Sequence, residues 1–205
     1  MSPRATPLPA DERRAQIIRV ATPLVLQYGG RVTTRQIADA AGLAEGTLFR
    51  IFATKQSLIH EVIVATIDPT ELCDEIAGID LTLGLEERLG AVVEVLARHT
   101  DRISAMMLAT QEHLQSCPDG ESTDGPHRLD TAFQERSQRL QAAIEAVLVG
   151  DEAILRTTPR RTATFLRAMV FVAHHPMMGL GDLSPTEMTS LLLDGLRTSE
   201  PDEES

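Results

Sequence analysis

The stretch TTRQIADAAGLAEGTLFRIFATK, from Thr33 to Lys55, restricts the fold more tightly than any other part of the chain. Thr33-Thr34-Arg35-Gln36 has the spacing of a capping box, in which the Thr hydroxyl and the Gln side chain satisfy donors at a helix start. That helix has to end about Ala41, because Gly42 supplies the backbone freedom of a tight turn. A second short helix is expected over about residues 45–52. Thr54-Lys55 then opens a longer one through KQSLIHEVIVATI, ending near Asp68-Pro69. Two short helices joined this way need a small residue at their crossing, a glycine at the bend and an apolar residue on the second helix. Ala38, Gly42 and Leu48 stand in those places, and Ile37, Ala41 and Phe52 can supply the remaining apolar face. This is the plan of a helix-turn-helix, whose second helix enters the major groove of DNA.

Upstream, DERRAQIIRVATPLVLQYGG carries apolar residues at Ile17, Ile18, Ala21, Leu24, Val25 and Tyr28, a helical period. Asp11 and Glu12 suit its start and Gly29-Gly30 its end. Pro23 removes a backbone donor inside it, so a kink is expected. Residues 1–10 are Pro-rich and expected to be disordered. Downstream, helices are expected over about 82–99, 101–115, 128–149, 159–175 and 185–198. SCPDGESTDGP (116–126) reads as a flexible loop. Pro176 and the Gly179/Gly181 pair separate the last two helices, and EPDEES is a solvated acidic tail. No strand pattern and no repeat emerges. The expectation is an all-α chain with a DNA-reading head over 11–60 and a larger helical body over 61–200, whose core is aliphatic because aromatic residues are only 3% of the chain.

The net charge of −11 argues against a nucleic-acid partner, but its distribution points the other way. Residues 1–60 carry eight Lys/Arg (Arg4, Arg13, Arg14, Arg19, Arg31, Arg35, Arg50, Lys55) against four acids, a formal +4, and the remainder carries 11 basic and 26 acidic residues, −15. A body of that sign repels a polyanion, so DNA must be met through the head. Lys55, the one lysine of the chain, opens a helix, where a cation opposes the helix dipole; an external phosphate accounts for it there. Cys73 and Cys117 show neither CxxC nor Cys/His spacing and are expected to be idle thiols in a reducing compartment. The N-terminus has no apolar signal core, and the longest uncharged run, Ala168 to Gly181, is too short to span a bilayer. A soluble cytoplasmic protein with no membrane partner is expected.

The head resembles the N-terminal domain of the TetR family of bacterial transcriptional regulators. The likeness runs through Ile17, Ala21, Gly29, Thr33-Thr34, Ile37-Ala38, Ala41-Gly42, Gly46-Thr47-Leu48-Phe49, Phe52, Lys55 and Leu58, covering about the first 60 residues. The body is compatible with the family without carrying a motif specific to it. The resemblance implies a homodimer on a palindromic operator, with the dimer interface and the pocket for a small-molecule effector in the body. It places Thr34 and Arg35 at phosphate or base from the first helix of the motif. Glu45, Gly46 and Thr47 fall at the groove end of the reading helix, Phe49 and Arg50 against backbone or base, and Lys55 on phosphate. Small residues at the start of that helix let it approach the duplex, where backbone N–H groups can hold a phosphate. Glu45 can accept from a cytosine amino group. Two positions depart from the family's habit: Ala44 where Ser is common, which removes a side-chain cap, and Phe49 where Tyr is common, which removes a hydroxyl.

Outside the head, Met106, Met107, Met169, Met177 and Met178 could line an adaptable effector pocket, since Met fills irregular spaces, although Met at helical spacing is more often core. His174-His175 point to different sides of a helix and do not make the i,i+4 pair that chelates a metal. Neither a metal, a cofactor nor a catalytic group is expected. The apolar faces of 159–175 (Phe165, Leu166, Met169, Val170, Val172) and 185–198 (Met188, Leu191, Leu192, Leu196) would be completed by a symmetric four-helix interface with a second copy. The competing readings are an all-α enzyme and a helical module binding a partner protein.

Overall fold

The structure, a computed structural model, describes residues 9–116, 126–175 and 183–196. The expectations for residues 1–8, the 117–125 loop with Cys117, the 176–182 segment with Met177 and Met178, and the acidic tail lie outside the described residues. Within them the chain forms α1 (Ala10–Tyr28), α2 (Thr34–Ala40), α3 (Glu45–Ile51), α4 (Lys55–Ile67), α5 (Thr70–Ala77), α6 (Leu85–Ser116), α7 (Pro126–Val147), α8 (Pro159–His174) and α9 (Pro185–Leu196), with a 3₁₀ turn at Gly29–Arg31 and no strand among the described residues. The all-α expectation holds. Two compact units divide the chain: the first takes residues 1–67 with 105–121, the second 68–104 with 122–205. The break thus falls after α4, and α6 supplies residues to both units.

In the first unit the helical period of α1 drives Ile17, Ala21 and Val25 into a core shared with Ile37, Leu48, Phe52, Leu58, Ile59, Val62 and Met106. Pro23 sits within α1 without ending it. The helix stops at Gly29, which adopts φ +57 and donates its N–H to the Val25 carbonyl. A Cβ at Gly29 would lie 2.1 Å from the carbonyl oxygen of Ala109 on α6, so only glycine lets the two backbones meet this closely.

The second unit buries a separate aliphatic core from α5 to α9, including Leu72, Ile76, Leu89, Val92, Val93, Leu96, Ile144, Leu148, Leu166, Val170 and Leu192. Two details differ from the sequence expectation. The break expected near residue 100 is absent, and one 32-residue helix runs from Leu85 to Ser116. Thr100, the residue between the two expected helices, turns its hydroxyl back to the Leu96 carbonyl at 2.8 Å and is accommodated inside the helix. Helix α5 had no expectation, because eight residues with one buried pair, Leu72 and Ile76, are too few to show a period. Arg88 joins α6 to the end of α7: it is almost fully buried, donates to the Val147 carbonyl at 2.6 Å and pairs with Asp151. A cation placed on the last carbonyls of a helix both satisfies them and complements the helix dipole.

Candidate nucleic-acid interface

Local chemistry sets the geometry of α2 and α3. The capping box forms as expected: the Thr33 hydroxyl accepts from the Gln36 N–H at 3.1 Å, and the Gln36 side chain accepts from the Thr33 N–H at 2.8 Å. At the other end Gly42 takes φ +66, its N–H donates to Asp39 and the Leu43 N–H donates to Ala38. These are the two bonds of a Schellman motif, which closes the first helix and turns the chain sharply into the second. Ile37 and Ala38 from α2 and Leu48 from α3 are buried, as is Phe52 just past the end of α3. Seven residues suffice for α3 because the core side holds Leu48 and the half-buried Ile51, leaving Glu45, Gly46, Phe49 and Arg50 exposed on the opposite side.

That outward face gathers four of the eight residues expected to meet DNA. Phe49 is 47% exposed, so packing does not account for it. Arg50 in the last turn of α3 and Arg35 in the first turn of α2 are exposed, whereas Thr34 and Thr47 are half-buried. The Thr34 hydroxyl donates to the Glu45 carboxylate, so these two expected contacts touch each other across the motif. Ala44 is the N-cap of α3 and offers no side-chain bond, as its identity requires.

Lys55 is less free than the sequence implies. Its ammonium donates to the Gly30 carbonyl at 2.7 Å, and the side chain is half-buried. Three donors leave two for other partners, so a phosphate contact is compatible with this bond. The start of α4 is closed by its own box, Thr54 and Ser57 exchanging side-chain and backbone bonds.

A further residue belongs to this region that sequence reasoning counted only as a charge. Arg14 of α1 donates to Glu61 of α4 through two nitrogens, Nε at 2.7 Å, and through Nη1 to the Ile51 carbonyl at 3.0 Å. Its guanidinium lies 4.7 Å from the centre of the Phe52 ring. The hydrogen bonds to Glu61 raise its pKa, so it stays charged throughout. No short-range pattern announces this group, since its partners lie 37 and 47 residues away.

The methionines separate. Met106 is fully buried in the core of the first unit and Met107 packs against that core, so the pocket expectation for these two meets ordinary core packing instead. Met169 lines an open cavity of about 700 Å³ between α8 and α9, together with Phe165, Met188, Leu191 and Leu192. His174 meets Asp101 at 3.0 Å, while the His175 ring lies 5.2 Å from that of Phe171, so the two histidines engage different neighbours. Burial pushes the Cys73 thiol up, away from thiolate reactivity.

Residues 17–62 match the family described as bacterial regulatory proteins, tetR family. Over 70 residues the chain is 39% identical to the HTH-type transcriptional repressor KstR2 of Rhodococcus jostii (strain RHA1), covering 31% of this chain and 34% of that protein. Over 131 residues it is 24% identical to the KstR2 repressor of Mycobacterium tuberculosis (strain ATCC 25618 / H37Rv), covering 63% and 54%. The matches thus span between a third and about half the length of these curated relatives. Among solved structures, a TetR-family transcriptional regulator from Mesorhizobium loti superposes with a TM-score of 0.60 at 17% identity, over 94% of this chain and all of that one. The TetR regulator SCO0520 from Streptomyces coelicolor gives 0.55 at 22%, over 91% and 99%. These two likenesses are of fold. The capping box, the Schellman turn and the exposed face of α3 all fall within residues 17–62, the part of the chain that matches the tetR family of bacterial regulatory proteins.

Proposed function

We propose that this protein is a DNA-binding transcriptional regulator, a repressor acting as a homodimer on a palindromic operator and responding to a small molecule. The observation that carries the reading is the outward face of α3, where Phe49 and Arg50 stand free beside Glu45 and Gly46 while Leu48 anchors the helix from behind. An aromatic side chain left in water on a seven-residue helix gains from a surface to cover it, and a groove supplies sugar and base-methyl contacts. Arg50 and Arg35 add phosphate neutralisation. The relatives' description as transcriptional repressors supports repression as the sign of the effect.

For the dimer, the support is in α8 and α9. Phe165 is 48% and Leu191 63% exposed, and both line the open cavity between the two helices. An apolar groove open along one side suits the side chains of a second copy, which would complete four helices around a shared core. A dimer of helix-turn-helix units meets half-sites about 34–36 Å apart. An effector preferring a state with other head spacing would shift the population off the operator.

The test is selection of duplexes from a random-sequence pool by the purified full chain, followed by binding across a salt series. An enriched palindromic site is expected. Arg50→Ala should reduce the log–log salt slope by about 0.9, the share of one phosphate contact. Phe49→Ala should weaken the selected site while leaving the thermal midpoint unchanged. A pool that shows no enrichment at moderate salt sinks the proposal.

A further inference from the structure

We propose that Arg14 is the positioning residue of the reading helix: it holds the C-terminal end of α3 against α1 and α4, and so governs DNA selectivity without touching the duplex. The inference rests on the DNA-binding reading above. Helix α3 is two turns long, too short to keep its own shape or direction without tertiary support. At its start no side chain caps it, because Ala44 has no side-chain acceptor to offer. Its orientation therefore rests on the turn from α2, on the Thr34–Glu45 bond, on the buried Leu48 and on what happens at its far end.

At that end Arg14 meets a carbonyl, an aromatic ring and a carboxylate. The last carbonyls of a helix lack intrahelical partners, and Arg14 Nη1 donates to one of them, Ile51 O, at 3.0 Å. The positive charge also complements the negative end of the α3 dipole. The same planar group lies over the ring of Phe52, the C-cap of α3, 4.7 Å from its centre. Its other edge forms a two-nitrogen fork on Glu61 of α4, which fixes the guanidinium in plane and direction. One side chain thus spans three helices and grips the backbone of the one that reads DNA.

This geometry separates Arg14 from the phosphate-facing cations. Each of its three nitrogens donates to a carboxylate or a carbonyl of the protein, whereas Arg35 and Arg50 stand exposed. A fork-shaped group is required: lysine can place a charge near Glu61 but cannot at once bond Ile51 O and cover the Phe52 ring.

Two readouts on Arg14→Lys test the inference, one without DNA. In the DNA-free full chain, amide exchange measured at Ile51 and Phe52 should accelerate about tenfold relative to α1, the equivalent of one charge-assisted bond of about 1.4 kcal/mol. On duplexes selected by the unaltered protein, affinity for the selected site should fall about tenfold, while affinity for unrelated DNA and the salt slope stay unchanged. A slope reduced by about 0.9 would mark Arg14 as a phosphate contact and overturn the inference. So would unaltered exchange. If Arg14→Lys does not fold, Glu61→Gln keeps Arg14 in place and removes the charge that orients it. A smaller acceleration at the same two amides is then expected, and none overturns the inference. Accelerated exchange in a protein whose unaltered form selects no DNA would leave the tie to α3 standing and remove the DNA reading instead.

Discussion

Ala44 shows how much a single position can withhold. The α3 N-cap has extended backbone geometry (φ −72, ψ 142) suited to a hydroxyl or carboxamide that would accept from the following turn, yet carries a methyl group. Because Ala44 is exposed, Ala44→Ser introduces no clash, and it should raise stability by about 0.5–2 kcal/mol in chemical denaturation. No gain would mean that the free N–H groups of α3 are already well solvated. His99 presents the opposite situation, a polar group in a place that penalises its charge. Burial, and then the nearby Arg102, hold its imidazole below the ordinary value of about 6.5. Below that value the unfolded chain binds more protons than the folded one, so stability rises with pH up to about 6.5 and is lost on acidification through this window. Urea midpoints across about pH 5 to 7.5 should therefore show a shallower fall on the acid side for His99→Asn than for the unaltered chain. Parallel curves would exclude His99 as the source.

Between elements, close approach matters more than side-chain chemistry. Gly29 ends α1 at φ +57 and ψ −141, a conformation essentially reserved for glycine, and lies against the Ala109 backbone of α6. Gly29→Ala meets both obstacles, and a loss of about 2–4 kcal/mol is expected from strain and backbone displacement together. Thermal unfolding of the full chain measures it; a midpoint within a degree of the unaltered protein would show that α1 and α6 are free to part here. The uninterrupted α6 is a related case. A sequence break was expected at Thr100, but a threonine that bonds back one turn costs a helix little when Leu96 and Ala97 before it are already buried in a core. Tertiary burial outweighed local preference.

For the molecule as a whole, charge and apolar surface divide the work. The first 60 residues are cationic and the remainder strongly anionic, so a polyanion is attracted to one part of the chain and repelled by the other. The exposed apolar groups on α8 and α9 lie in the acidic part, where a second copy would cover them. Leu191→Glu should accordingly shift sedimentation equilibrium at micromolar concentration towards the monomer and weaken binding to a two-fold operator. Its 63% exposure means that the fold of one copy should tolerate the change. An unaltered mass would place the interface elsewhere.

The helix-turn-helix was legible because every signal that builds it acts within about one helical turn. Thr33 caps through Gln36, Gly42 turns the chain at positive φ, and Ala38, Leu48 and Phe52 fall inward by helical period alone. The sequence also determined the polarity of charge along the chain and the all-α class. Only the tertiary structure decided that Met106 belongs to the core of the first unit, that Lys55 bonds Gly30, and that Arg14 grips Ile51 and Glu61. The reason is one of range. Capping and turn formation are local hydrogen-bond problems with few solutions, whereas a long cation has many possible partners, and which carboxylate or carbonyl it reaches is settled only when the helices have packed.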